Sequence, residues 1–424
     1  MAADDFNVSS SDTSSISIAI DSLNVPYIAF QDISNENRVS VSKYNGLSWE
    51  PVGEPDFSAG AATYISMALD RNNTPYVAYV DSANGGKATV MKFNGTNWVT
   101  VGNAGFSAGA VGYTSIAIDS NNIPYVAFDG DGSVFKATVM KFNGTNWVAV
   151  GNSGFSAGNA LFTAIALDSY NLPYVSYEDV AYNYRATVMK FNGLYWVTVG
   201  SPGFSISGVN YITMAIDSNN TPYVAYQDAG NGFKASVMKF NGTSWVYVGT
   251  PGFSAGEVFF TSIAIDSNNT PYIVYQDAEN GVRASVMKFD GTSWVYVGTP
   301  GFSPSTASDT TIALDSNNTP YIAYHDISKN VVVMKYTGTD WQTIGCPVGS
   351  EQQTAGGWVL RILAEEAWMI RCLRLFFCQS LREISAEKYL CPEKKMNLAT
   401  ELLCAAAKKE QALAEVLEAA SKFE

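Results

Sequence analysis

A proline–tyrosine pair recurs at Pro26, Pro75, Pro124, Pro173, Pro222, Pro271 and Pro320, each pair 49 residues after the last. Self-similarity at a fixed period of this size means that one supersecondary unit is built seven times and that neighbouring copies must bury each other's apolar faces. Few folds accept such a sequence. The unit is clearest over residues 212–260, where four short runs (TMAID, PYVAYQD, ASVMKF, SWVYVG) are separated by SNNT, AGNG, NGT and a longer TPGFSAG.

Runs of four to eight β-branched and aromatic residues bounded by Gly, Asn, Asp and Pro predict strands, so the unit is a four-stranded meander. An Asn-Gly pair follows the third run at Asn45, Asn94, Asn143, Asn192 and Asn241, with Asp290-Gly291 and Thr337-Gly338 in its place later. Both residues accept positive φ, which turns the chain back between the third and fourth strands. Apolar residues fall on both parities, as at Val224, Ala225 and Tyr226, so both faces of each small sheet are expected to be covered. Four-stranded sheets repeated every 40 to 50 residues and packed face to face are the propeller pattern, here with seven blades.

An open solenoid would need capping units at its two ends. The ends point to a ring instead: Phe57, Phe106, Phe155, Phe204, Phe253 and Phe302 mark the exits of six blades, the seventh leaves through Cys346-Pro347-Val348-Gly349, and Phe6 upstream of blade one can take the missing place. The expected blades span about 16–58, 65–107, 114–156, 163–205, 212–254, 261–303 and 310–346, within a ring domain of residues 1–346. Blade seven is two residues shorter between its second and third strands.

Residues 1–345 hold 15 Lys+Arg against 28 Asp+Glu, which accounts for most of the chain's net charge of −14. Such an acidic body disfavours nucleic-acid backbones and anionic lipid surfaces. The start, MAADDFNVSS, has neither a basic nor an apolar region of a secretory signal. All five cysteines (Cys346, Cys372, Cys378, Cys391, Cys404) fall at or after the end of the ring without CxxC spacing, as expected of reduced thiols. The chain as written therefore reads as cytoplasmic, and as extracellular if a signal peptide has been removed.

After a linker at 347–357 the composition changes. Leu360, Leu363, Ala367, Ile370, Leu373, Phe377, Leu381 and Ile384 recur at three and four, and a second stripe runs from Met396 to Ala420 beyond Cys391-Pro392. A two-helix tail is expected over 358–424. Arg361, Glu365, Glu366, Arg371 and Arg374 argue against a membrane span. An amphipathic stripe is first a burial face, used within the hairpin, on the ring or on another copy; the sharper reading is a separate docking module.

Seven copies in one chain allow a comparison of the copies with one another. The turn between strands one and two hardly varies (DSNNTP, DSNNIP, DRNNTP, DSYNLP, DSLNVP), whereas the loops between strands two and three, and those between blades, vary widely. Because strands alternate up and down, both variable connections emerge on one face, where loops on a rigid scaffold carry binding residues. Three rings of residues are candidates there. The first, placed just before strand one near the central channel, is Tyr64, Tyr113, Phe162, Tyr211 and Phe260, with Ser15 and Asp309 completing it. The second ends strand two: Gln31, Val80, Asp129, Glu178, Gln227, Gln276 and His325. The third lies in the strand two-to-three loop: Phe135, Tyr184 and Phe233, with Tyr182 nearby. Aromatic faces beside amides and carboxylates suit sugars, peptides or a partner's side chains. The five near-identical aromatics of the first ring favour a filler between blades, whereas the changing residues of the other two rings favour ligand contact.

Other chemistry is thinner. Asp21, Asp70, Asp119, Asp168, Asp217, Asp266 and Asp315 close strand one in every blade; they could ligate Ca²⁺, but sevenfold uniformity favours turns that hold themselves, and no metal or other cofactor is expected. Asp32, Asp81, Asp179, Asp228, Asp277 and Asp326 precede a Lys or Arg across the next loop, which predicts cross-strand charge pairs. His325 is the only histidine, so multi-histidine metal sites are excluded and no phosphate loop or nucleophile elbow is present.

DSNNTPYVAYQD followed by VMKFNGTSWVYVG resembles bacterial tandem propeller repeats, relatives of the sialidase-like and kelch-like rings, over residues 16–346. The resemblance implies a ring with a binding role. A sialidase would imply an arginine triad, which Arg38, Arg71, Arg185 and Arg283 do not form. The leading expectation is a non-enzymatic recognition scaffold for a protein or glycan, with self-association or coupling through residues 358–424. The alternatives are a hydrolase or lyase using Glu178, Asp129 and His325 at the channel mouth, and a structural ring that presents the tail.

Overall fold

In the computed structural model, residues 16–130 and 135–345 are described. They form seven four-stranded antiparallel sheets, each made of four consecutive strands paired in chain order. The fifth is representative: Val209–Ile216, Pro222–Asp228, Lys234–Phe240 and Trp245–Tyr247. The fold is a seven-bladed β-propeller, as the period predicts.

The core lies between the blades. Strand two is buried along its length, because a neighbouring blade covers each of its faces. One such layer brings Tyr223, Ala225, Ala235 and Val237 of blade five against Ile263, Ile273, Tyr275, Met287 and Trp294 of blade six. Each exit phenylalanine stacks on the tryptophan of the next blade, as Phe204 does on Trp245 at 4.2 Å and 8° between planes. That indole donates from Nε1 to the Val199 carbonyl of blade four at 2.7 Å.

The ring closes by the same contacts. Trp49 Nε1 of blade one donates to the Ile344 carbonyl of blade seven at 2.8 Å, Ser316 N–H donates to Asn24 Oδ1 at 2.9 Å, and Ile16, Ile18, Ile28 and Phe30 pack with Tyr321, Ala323, Val331 and Val333. Blade seven draws all four strands from its own segment, so closure exchanges no strand. The docking expected of Phe6, the linker and the helical tail lie outside the described residues.

The uniform turns follow from their bonding. Asp217 Oδ1 accepts from the amides of Asn219 at 2.9 Å and Thr221 at 2.8 Å, and Asn220 sits at φ 63°. Asn220 also reaches the preceding blade, accepting from Ser169 N–H at 2.8 Å and donating to Ser169 Oγ at 2.9 Å. The aspartates are thus engaged in their own turns. Replacing Asp217 by Ala leaves two amides without this acceptor and is expected to cost about 1–2 kcal/mol in urea unfolding; a loss under a few tenths would show that solvent satisfies those amides equally well.

The second aspartate series corrects an expectation. The register does set Asp81 opposite Lys87 and Asp228 opposite Lys234, but among the described residues no member of the series forms an ion pair with Lys or Arg. Asp81 accepts instead from Ala83 N–H at 3.1 Å, Asn84 Nδ2 at 2.8 Å and Thr89 Oγ1 at 2.8 Å, capping the 3₁₀ turn at Ser82–Asn84. Buried carboxylates gain more from fixed donors beside them than from a solvated ammonium group across the loop.

Candidate functional site

The first ring stands inside strand one, not before it. That strand begins earlier than expected, at Ala62, Ala160 or Val209 for example, and slips register at the aromatic residue, as between Thr63 and Ser66. At this bulge Tyr64, Tyr113, Phe162, Tyr211, Phe260 and Asp309 take φ of 51°, 46°, 51°, 51°, 49° and 53°. A bulky residue in the left-handed region is held there by its surroundings. One cause is visible: the carbonyl of Tyr113 accepts from Thr163 Oγ1 of the next blade at 2.6 Å, and that of Tyr211 from Thr261 Oγ1 at 2.5 Å.

The five aromatic rings touch in succession at centroid distances of 4.6, 4.6, 5.3 and 5.0 Å. With Ile16 and Asp309 they border a cavity of about 500 Å³ at the head of the central channel. The backbone there is structural, while the half-buried rings face open space.

The second ring is interior. Gln31, Gln227 and Gln276 donate from Nε2 to the carbonyls of Ala62, Val258 and Ala307 on the next blade, at 2.7, 2.6 and 2.5 Å. Val80, an apolar member, is half-buried. Asp129, Glu178 and His325 are 2%, 4% and 1% exposed and do not border the cavity. Burial pushes Asp129 up to about 7 and Glu178 up to about 8. Both carboxyls reach close enough to Tyr113, itself raised mainly by burial and by Tyr64, to push its phenol up further. His325 Nδ1 lies 3.1 Å from Asp309 Oδ2 on the far side of the channel. Sequence position alone placed these side chains on the ligand face; the structure places them between blades.

The third ring is exposed: Phe135 by 53%, Tyr184 by 51% and Phe233 by 37%, with Tyr182 beside Tyr184. Its members occupy one structural position in successive blades. The carbonyls of Phe135, Tyr184 and Phe233 accept from the amides that open the next blade, Ala160, Val209 and Val258, at 2.7, 2.8 and 3.0 Å. Asn37, Gly86 and Val282 do the same for Ala62, Val111 and Ala307. Val282, partly exposed as well, therefore extends the row, although its type hid it in the sequence. Tyr184, Phe233 and Val282 stand at φ 60°, 58° and 60°, a conformation that Gly86 adopts at 72° without steric cost.

Comparison with known proteins supports the architecture. No protein-family model matches the chain, and no curated protein matches it. The resemblance to sialidase-like and kelch-like repeats therefore rests on the repeat motif alone. Among solved structures, a lectin from Burkholderia pseudomallei is similar with a TM-score of 0.56 at 14% identity, covering 79% of this chain and 99% of the lectin. A fungal lectin from Aleuria aurantia, described as a six-bladed propeller with a novel mode of fucose recognition, gives 0.49 at 14% identity over 81% of this chain and 98% of its own. An ulvan lyase of a polysaccharide lyase family gives 0.49 at 12% identity over 77% and 91%. At this identity the likeness to the Burkholderia lectin is one of fold.

Proposed function

We propose that the ring is a carbohydrate-recognition scaffold whose ligand lies on the face formed by the strand two-to-three and inter-blade loops. Phe135, Tyr184 and Phe233 supply the contacts, and the arc from Tyr64 to Phe260 receives what enters the channel mouth. Residues 358–424 are assigned self-association or coupling.

One observation carries this reading. Tyr184 and Phe233 are exposed to water in a backbone conformation that costs a bulky residue about 1–2 kcal/mol and that Gly or Asn accepts. Neither packing nor backbone geometry calls for an aromatic residue there, whereas a sugar ring stacking its C–H face on the ring does. The shared architecture of the Burkholderia lectin supports placing a glycan ahead of a protein ligand.

A glycan array probed with the full chain tests the proposal, followed by titration of Tyr184→Asn and Phe233→Asn. Binding is expected to weaken about fivefold or more for each, since aromatic contacts contribute about 1 kcal/mol or above. The melting temperature should stay level or rise slightly as backbone strain is relieved. Unchanged binding in both variants, or silence across the array, would sink the assignment.

Raised carboxyls beside a channel favour a second reading, a hydrolase or lyase using Glu178, Asp129 and His325. Their burial behind the aromatic arc counts against it. A polysaccharide-degradation screen whose activity disappears in Glu178→Gln would reverse the order of the two.

A further inference from the structure

Three junctions between blades are tied by a glutamine at the end of strand two, and in each the acceptor carbonyl lies 31 residues downstream. Glu178 occupies that place in blade four, and the residue 31 further on is Val209, the first of blade five's inner strand. An ionised carboxylate has no proton to donate to a carbonyl. Glu178 is buried and its Oε2 has no hydrogen-bond partner.

Among the described residues no cation pairs with it. The first strand of its own blade, Ala160–Leu167, carries no titratable residue, and the third carries Arg185 and Lys190. Tyr211 stands on blade five's inner strand, Tyr113 approaches from blade three, and Asp179 follows in the chain with its side chain turned to the Ala181 amide. Burial is the sole cause that raises the Glu178 carboxyl to about 8. The same Val209 that the carboxyl would address donates its N–H to the Tyr184 carbonyl at 2.8 Å.

We propose that Glu178 acts in its protonated form as a substitute for glutamine, donating its carboxyl O–H to the Val209 carbonyl, and that losing this proton loosens the Val209–Tyr184 tie and weakens ligand binding. Tyr184 is thus positioned through a group that titrates in mildly alkaline solution. The consequence for binding rests on the reading of Tyr184 as a ligand contact; the consequence for the backbone does not. On ionisation the proton passes to solvent, and a carboxylate oxygen is left against a carbonyl oxygen, both acceptors, in a site with little water.

Hydrogen exchange of the Val209 amide in the full chain reads the tie without any ligand. After correction for intrinsic rates, its protection is expected to fall about tenfold or more between pH 6.5 and 9, and to stay level in Glu178→Gln. Gln227→Glu should import the same alkaline loss at the Val258 amide, where the wild type is level. Parallel pH courses in wild type and Glu178→Gln, or no change at Val258 in Gln227→Glu, would overturn the proposal. Binding to immobilised mucin at both pH values forms a separate arm. Capture that fades with pH in wild type and persists in Glu178→Gln supports the coupling, and capture that fades equally in both refutes it. Absence of capture at either pH, with the exchange result as expected, counts against the glycan reading and leaves the junction switch standing.

Discussion

Trp245→Ala is expected to lower the unfolding free energy by about 3–5 kcal/mol, the range for deleting a large buried aromatic side chain. Three losses combine at this position. The indole is buried between blades four and five, its stack on Phe204 disappears, and the Val199 carbonyl that accepts from Nε1 at 2.7 Å is left unpaired. Trp245→Phe separates the causes, since it retains most of the stack and removes the donor. Its cost should be about 1–3 kcal/mol, that of an orphaned buried carbonyl with a small loss of packing. Urea unfolding followed by far-UV dichroism measures both. Equal losses in the two variants would mean that the hydrogen bond, not the stack, holds adjacent blades. A loss below about 1 kcal/mol for Trp245→Ala would mean that the inter-blade layers tolerate a gap of this size, contrary to close packing.

The sheets, their number and their turns were legible because their causes are local. Asn-Gly reversal, an Asp that accepts from its own turn and short β-branched and aromatic runs act within a few positions, and seven copies remove accidental patterns. Closure was legible from the want of capping units, and in the structure Trp49 meets Ile344 with the indole-to-carbonyl contact that the other six blades use. What escaped depends on partners at the level of the backbone. The second ring reads as exposed from its place at a strand end, yet Gln31 meets a carbonyl on the next blade, and a carbonyl leaves no mark in the residue code. A bulge inside strand one shifted the aromatic arc from the approach of the blade into its wall. The left-handed position of the third ring had a faint signature, Asn37 and Gly86 standing where Tyr184, Phe233 and Val282 stand. Reading that column as one conformation would have added Val282 to the site and identified Tyr184 and Phe233 as strained.

Unfolding free energy is expected to fall as pH rises from about 5 to about 8, the reverse of the common acid-labile profile. The native protein holds Asp129 at about 7 and Glu178 at about 8, against ordinary values of 3.8 and 4.5. Between the ordinary and raised values the unfolded chain has released protons that the native state keeps, so the native state binds more protons and the slope of stability with pH is negative. The contribution is complete below the ordinary values, shrinks as pH rises through the window, and is exhausted once each carboxyl ionises in the folded state. One group can give at most about 1.4 kcal/mol per pH unit, so the two together set a ceiling of about 2.7 kcal/mol per unit between pH 5 and 7. Rearrangement and water entry reduce this, and about 1 kcal/mol per unit is expected. Glu178→Gln should remove the upper part of the slope and raise stability at pH 8, since an amide serves the same junction elsewhere in the ring without titrating. Asp129→Asn should remove the lower part. A wild-type profile that is level or rising from pH 5 to 8 would show that both carboxyls are ionised in the folded ring, and with that the protonated junction at Val209 would lose its basis.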